Sequence, residues 1–173
     1  MSTRFYSSPA HASADGGTVI LLIGPVCCGK TTYARSLPGT FLLSCDALMQ
    51  TLYPGGCGTQ HDTLAARARA YLFSLARQLS AAGMTPVLDF GFWTREMRAE
   101  AIAALPGCRL DWRCIAVPPT EWTRRIEKRN AAHLSGTGDP ADYYVDEGLL
   151  AKVNALFEPP TEEELPGLKV IEG

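Results

Sequence analysis

No apolar run in the sequence approaches the ~20 residues a membrane-spanning helix needs, and the polar, Ser- and Ala-rich stretch 1–17 lacks a signal-type apolar segment. The chain is therefore expected in the cytoplasm, with no membrane partner. It also lacks an excess of one charge: net charge is -2 and the pI is about 5.9. Composition thus does not force the basic face of a dedicated nucleic-acid binder, although a local basic site stays open. Its six cysteines, at 27, 28, 45, 57, 108 and 114, contain no CxxC pair and no Cys/His spacing of the zinc type, which argues against a metal cluster. They read as free thiols in a reducing compartment, packed as small apolar side chains. Cys27 and Cys28 stand apart, because a neighbouring lysine and a helix start both favour a thiolate.

What remains is globular: 173 residues, 46% hydrophobic and 20% charged, the size of one domain with one core. Residues 1–16 have no periodicity and read as a flexible leader, which leaves residues 17–173 as a single domain. Continuous apolar, β-branched runs mark five strands: Thr18 to Ile23, Thr40 to Leu43, Thr85 to Phe90, Cys108 to Val117 and Leu168 to Ile171. Helical stretches alternate with them, at Lys30–Ser36, Thr63–Ala82, Thr94–Leu105, Thr120–Ala132 and Val145–Phe157. Thr120 and Asp62 are read as N-caps. Strands alternating with helices imply an α/β fold, a parallel sheet with helices on both faces. The Gly-, Ser-, Asp- and Pro-rich segment 133–144 suits a short lid.

Gly24-Pro25-Val26-Cys27-Cys28-Gly29-Lys30-Thr31 satisfies GxxxxGK[ST], directly after the first strand and at the start of a helix. This is the context of a P-loop (Walker A). The glycines let the backbone curl so that successive N–H groups point at phosphate oxygens, and the helix N-terminus adds partial positive charge. Lys30 is placed to reach the β- and γ-phosphates of ATP, Thr31 to coordinate Mg2+, and Thr32 to bond the α-phosphate.

Asp46 follows the second strand, at the carboxyl edge where open α/β sheets place their ligands. Two roles are open from the residues alone: orienting an acceptor hydroxyl and taking its proton, or capping the short stretch Ala47–Leu52. Asp89 ends the third strand in the manner of a Walker B carboxylate that holds Mg2+, usually through water; a substrate contact and a buried turn residue are the alternatives. Phe90, Phe92 and Trp93 read as core and pocket wall. Arg125 and Arg129, four apart on one helix face before the lid, suit a clamp on transferred phosphoryl charge, whereas Arg124 and Lys128 read as solvated. His61 reads as a surface residue, with Tyr53 and Gln60 as further polar groups on the acceptor side.

Taken together, these features resemble small P-loop kinases of the AAA-family ATP-binding type, related to polynucleotide kinase, chloramphenicol phosphotransferase and zeta-toxin kinases. The resemblance covers residues 18 to about 164 and rests on Gly24 to Thr31, Asp46, the stretch Val87 to Trp93 with Arg95 and Arg98, the helix segment Arg125 to Asn130, and Phe157 to Glu164. It implies a three-layer P-loop NTPase fold of the nucleoside-kinase type, ATP and Mg2+ as cofactors, and an acceptor hydroxyl activated by Asp46. One departure stands out: an arginine often follows the strand-end aspartate by about three positions in those hydroxyl kinases, and Met49 stands there in this sequence.

The implied activity is transfer of the γ-phosphoryl group of ATP to a hydroxyl of a small molecule. Acceptors rank as metabolite, antibiotic, nucleotide sugar and then nucleic-acid 5'-hydroxyl, the last demoted by the acidic pI and Met49. The competing reading is an ATP-binding switch or weak NTPase acting through a partner.

Overall fold

A computed structural model describes residues 17–138 and 143–173. The leader expected at 1–16 and the centre of the lid, 139–142, lie outside the described residues. Five strands, β1 (Thr18–Ile23), β2 (Thr40–Ser44), β3 (Thr85–Gly91), β4 (Arg109–Ala116) and β5 (Lys169–Glu172), form one sheet in the order β2-β3-β1-β4-β5. Every pairing is parallel. Among the described residues six α-helices connect them: α1 (Lys30–Ser36), α2 (Cys45–Leu52), α3 (His61–Ala81), α4 (Arg95–Ala104), α5 (Pro119–Leu134) and α6 (Glu147–Leu156). None of these helices is long and apolar enough to cross a membrane.

The central strand explains why both faces are covered. Val19, Leu21 and Ile23 of β1 pack with Leu88, with Phe73 and Ala76 of α3 and with Ala101 of α4. Ile20 and Leu22 point the other way, onto Ala34 of α1 and Val87. A strand buried on both sides needs an unbroken apolar sequence, and Val19-Ile20-Leu21-Leu22-Ile23 supplies it. A further cluster joins Val26 of the P-loop to Ile126 of α5 and Val153 of α6. The helix that carries the paired arginines is thereby packed against the phosphate loop.

Two details of local structure differ from expectation. The caps expected at Thr120 and Asp62 are not formed: α5 starts with Pro119 in its first turn after Pro118, and α3 grows out of a 3-10 turn at Gly58–Gln60. Asp62 and Thr120 therefore sit inside the first turns. Proline fixes φ near the helical value and has no N–H to leave unpaired, so it starts α5 without a capping side chain. In addition α5 runs on to Leu134, and the first two residues of the expected lid, His133 and Leu134, are helical.

The segment Phe157 to Glu164 acts as a strap. Arg98 of α4 is fully buried and grips Glu164 in a fork, Nε to Oε1 at 2.7 Å and Nη2 to Oε2 at 2.9 Å. Its Nη1 donates to the carbonyls of Phe92 and Glu158, each at 3.0 Å. Glu158 in turn donates its backbone N–H to the Trp93 carbonyl at 2.8 Å, and its carboxylate accepts from the Arg95 amide. Arg98 thus ties the turn after β3 to the chain's last loop.

Candidate active site

The loop from Gly24 to Gly29 is shaped by backbone conformations that side chains resist. Gly24 has φ 151°, and a Cβ there would lie 2.6 Å from Cys28 Sγ. Gly29 has φ 107° and would bring a Cβ to 3.1 Å from Arg125 Nη1. Gly29 also caps α1 without any side-chain hydrogen bond, and the first turn of α1 holds no acidic residue. The helix start thus carries neither a capping side chain nor a carboxylate in its first turn, which suits it to an anion.

Three side chains, one from the turn after β3 and two from α5, hold the loop carbonyls. Trp93 Nε1 donates to Gly24 O at 3.0 Å, Trp122 Nε1 to Val26 O at 2.6 Å, and Arg125 Nη1 to Cys28 O at 2.8 Å. Arg129 Nη1 donates to Sγ of Cys27 at 3.5 Å, a residue whose own φ of 61° is unusual outside glycine. Trp122, Arg125 and Arg129 are spaced three and four apart on α5, so one helix face braces the whole loop. Trp93 can do its part because Gly91, at φ 81°, has no Cβ. One would stand 2.5 Å from Trp93 Nε1.

Lys30 folds across the loop, its Nζ donating to Pro25 O at 2.7 Å and Gly24 O at 3.0 Å. Thr31 Oγ1 donates to Asp89 Oδ2 at 2.6 Å. Asp89 is only 6% exposed and is aimed by an irregularity in the sheet: Leu21 pairs with Leu88 but Ile23 with Gly91, so β3 has one residue more than β1 at that point. Such bulges re-aim side chains next to active sites. The Thr31–Asp89 pair is a set of hard oxygen donors, and Mg2+ takes one or two protein oxygens and fills its other positions with water and phosphate. These residues fit that ion, whereas no cluster of three or more His, Cys, Asp or Glu suited to a metal occurs among the described residues.

Asp46 lies in the first turn of α2, and the cap of that helix is Ser44, whose hydroxyl accepts from the Ala47 amide at 3.2 Å. Capping is thus removed as an explanation for Asp46. Ser44 pairs with Asp89 across β2 and β3, which brings Asp46 to the same edge as Asp89 and the P-loop. Asp46 keeps accessible surface as a residue, yet desolvation of its carboxyl by the surrounding protein raises its pKa; Lys30 is the largest opposing influence, and the negative charge of Asp89 adds to the rise.

One cavity of about 830 Å³ takes in Lys30, Thr31, Thr32, Asp46, Asp89, Arg125 and Arg129 together. Phe90 and Trp93 are part of its wall, and Phe92 is buried in an aromatic ladder with Phe73 and Trp112. Arg125 is engaged on two sides, with Cys28 O and with Glu121 at 2.7 Å. Arg129 stacks over the Tyr143 ring at 4.7 Å. Arg124 pairs with Glu121 at the surface, and the two arginines hold the Glu121 carboxyl down at about 2. Of the acceptor-side polar groups, His61 lines the cavity and is hydrogen-bonded to Asp62, while Tyr53 packs against the α2–α3 cluster. All six cysteines are free; burial lifts Cys45 to about 11.

Sequence reasoning missed Arg69 of α3, Lys152 of α6 and Tyr143, which also line the cavity. Arg69 had a faint signal: it lies four residues after buried Ala65 and three before buried Leu72, a cation beside the buried face of an amphipathic helix.

Residues 19–160 match the family described as the AAA domain. None of the curated proteins matches the chain in sequence. Among solved structures, a putative kinase from Chloroflexus aurantiacus superposes with a TM-score of 0.66 at 20% identity, over 91% of this chain and 88% of that one. Chaetomium thermophilum Kti12 in complex with ADP-AlF3 superposes with a TM-score of 0.65 at 15% identity, over 89% and 88%. Mycobacterium tuberculosis APS kinase CysC, in complex with AMPPNP and APS, gives 0.59 at 18% identity, over 91% and 88%. With a Walker A loop, a parallel sheet of this order and a family match over most of its length, the chain belongs to the AAA domain family and has the nucleotide-binding fold of small P-loop kinases.

Proposed function

We propose that this protein transfers the γ-phosphoryl group of ATP to a hydroxyl of a small molecule, with Asp46 as the general base. The observation that carries this reading is the cavity shared by Lys30, Thr31, Asp89 and Asp46: phosphate-binding groups on one side, and on the other a carboxylate that caps nothing. At about 830 Å³ the cavity falls within the ~300–1,000 Å³ of small-molecule sites.

ATP with Mg2+, held at the P-loop by Lys30 and by Thr31 with Asp89, would supply the transferable group and neutralise charge on its β- and γ-oxygens. Asp46 accepts the acceptor's hydroxyl proton as the new O–P bond forms and the β,γ-bridging P–O bond breaks. The products are a phosphate monoester and ADP. Lys30 and Arg129 stabilise the charge on the transferring group, and Arg125 holds the loop that binds it. A raised Asp46 pKa suits a base, because proton affinity nearer the working pH strengthens the driving force for abstraction.

The test is ADP release from ATP and Mg2+ against sugars, nucleosides, antibiotics and short oligonucleotides, with Lys30→Ala and Asp46→Asn alongside. Acceptor-stimulated turnover lost in both variants supports the reading. Acceptor-independent hydrolysis that survives Asp46→Asn points instead to a switch acting through a partner.

A further inference from the structure

We infer that Arg69, with His61 and Lys152 around it, forms a subsite for an anionic group on the acceptor, so that the substrate is a small hydroxyl compound that also carries a carboxylate or a phosphate. This rests on the kinase reading and sharpens it. Three observations lead there.

The first is position. Arg69 and Lys152 come from α3 and α6 into the cavity that holds Asp46. The fields of both reach Asp62, that of Arg69 also reaches the Cys45 thiol, and His61 acts on Asp46 itself. His61 and Arg69, on α3, and Lys152, on α6, thus share the cavity wall with Asp46. Lys30 and Arg129 act on Asp46 from the phosphate loop and α5. Arg69 and Lys152 come from elements other than the phosphate loop and α5, which leaves them for a group other than the nucleotide's phosphates.

The second is bonding. The Arg69 side chain is 23% exposed, and its nearest ion-pair contact is Glu100 at 3.8 Å. Its Nε is buried and makes no hydrogen bond among the described residues. The Nε is turned toward Glu100, and the terminal N–H groups of this cavity-lining guanidinium likewise make no hydrogen bond among the described residues. So loosely paired a charge carries a desolvation cost, which an oxyanion in the cavity offsets by the planar, two-point geometry to which the arginine terminus is suited. The two carboxylates nearby do not meet this need. Asp62 is 88% exposed and faces His61, and Glu100 is 44% exposed, so its long contact with Arg69 is weak.

The third is the surrounding wall. Met49, Ala65 and Cys45 line the cavity near Arg69 and belong to the apolar α2–α3 cluster. An anion directed by Arg69 against that wall loses little to competing water, which strengthens the contact.

The experiment has two arms. In the first, ADP release is compared for neutral polyols, sugar carboxylates and sugar phosphates with a free hydroxyl, in wild type, Arg69→Gln and Arg69→Lys. Expected is turnover with one of the two anionic classes, a rise in KM of at least about tenfold in Arg69→Gln, and partial recovery in Arg69→Lys. A neutral compound used equally well by wild type and Arg69→Gln overturns the subsite while leaving the kinase reading intact; no acceptor response in any class counts against both. The second arm needs no turnover. Inorganic sulfate is titrated into protein saturated with a non-hydrolysable ATP analogue and Mg2+, followed by NMR shifts of the α3 amides. Expected is saturable binding weakened at least about tenfold in Arg69→Gln, with analogue affinity and melting temperature unchanged. Equal binding in wild type and variant overturns the proposal.

Discussion

Replacing Arg98 with methionine keeps an unbranched side chain in the site and removes its charge. It strands the Glu164 carboxylate, 10% exposed, and takes the same donor from the carbonyls of Phe92 and Glu158. Removing one partner of a buried ion pair costs about 3–5 kcal/mol, and the orphaned carbonyls argue for the upper half of that range. Against a domain stability of about 5–15 kcal/mol, this is a large share. With a urea m-value of about 2 kcal/mol/M, the unfolding midpoint is expected to fall by roughly 2–2.5 M. The double variant Arg98→Met, Glu164→Gln is expected to recover part of the loss, because no buried charge is then left unpaired. The pH dependence gives a second reading. Arg98 holds the Glu164 carboxyl below the usual 4.5, so the stabilisation is complete above that value and is lost as pH falls through the lower, folded-state value. Arg98→Met should flatten this acid limb. A shift in stability within about 0.5 kcal/mol, or an unchanged acid limb, would refute the assignment of the strap to this residue.

Asp46→Asn is expected to lower acceptor-dependent turnover by about 10²–10⁴-fold, with ATP affinity nearly unchanged in a fluorescent-nucleotide titration. Because the wild-type carboxyl is raised, the base should be active above its own pKa and fail as pH falls through it, a limb absent from the residual rate of Asp46→Asn. The same raised pKa means that ionising Asp46 costs folded-state stability as pH rises, so Asp46→Asn should melt higher than wild type at neutral pH. Gly91→Ala, at φ 81° with a Cβ 2.5 Å from Trp93 Nε1, should cost at least about 1–2 kcal/mol in thermal unfolding and weaken ATP binding by freeing Gly24. Trp122→Phe removes only the bond to Val26 O and should weaken nucleotide binding by roughly three- to tenfold, the equivalent of about 1 kcal/mol, readable by calorimetric titration.

Much of the fold could be read locally. β1 and α1 lie where the unbroken apolar run and the GxxxxGK[ST] spacing put them, because a strand buried on both faces and a loop that binds phosphate each demand particular residues in fixed order. The carboxyl-edge position of Asp46 and Asp89 followed from the alternation of strands and helices. The parts that could not be read depend on contacts between residues distant in sequence. Asp46 looks like a helix cap, and only the backbone entering α2 shows that Ser44 takes that place. Arg98 looks like a surface residue on a charged helix until Glu164, 66 residues away, closes on it. Arg69 carries no motif, and its relevance comes from α3 packing beside α2. Trp122 reads as one more amphipathic position, because its partner is a backbone carbonyl on another element.

The most direct test of phosphoryl transfer to a hydroxyl follows the phosphorus itself, by 31P NMR of protein, ATP, Mg2+ and the acceptor found by ADP release. The account predicts a new phosphomonoester resonance growing in step with ADP, with little inorganic phosphate, and its loss in Asp46→Asn. Inorganic phosphate accumulating in step with ADP, at the same rate with and without acceptor and in Asp46→Asn, would contradict it.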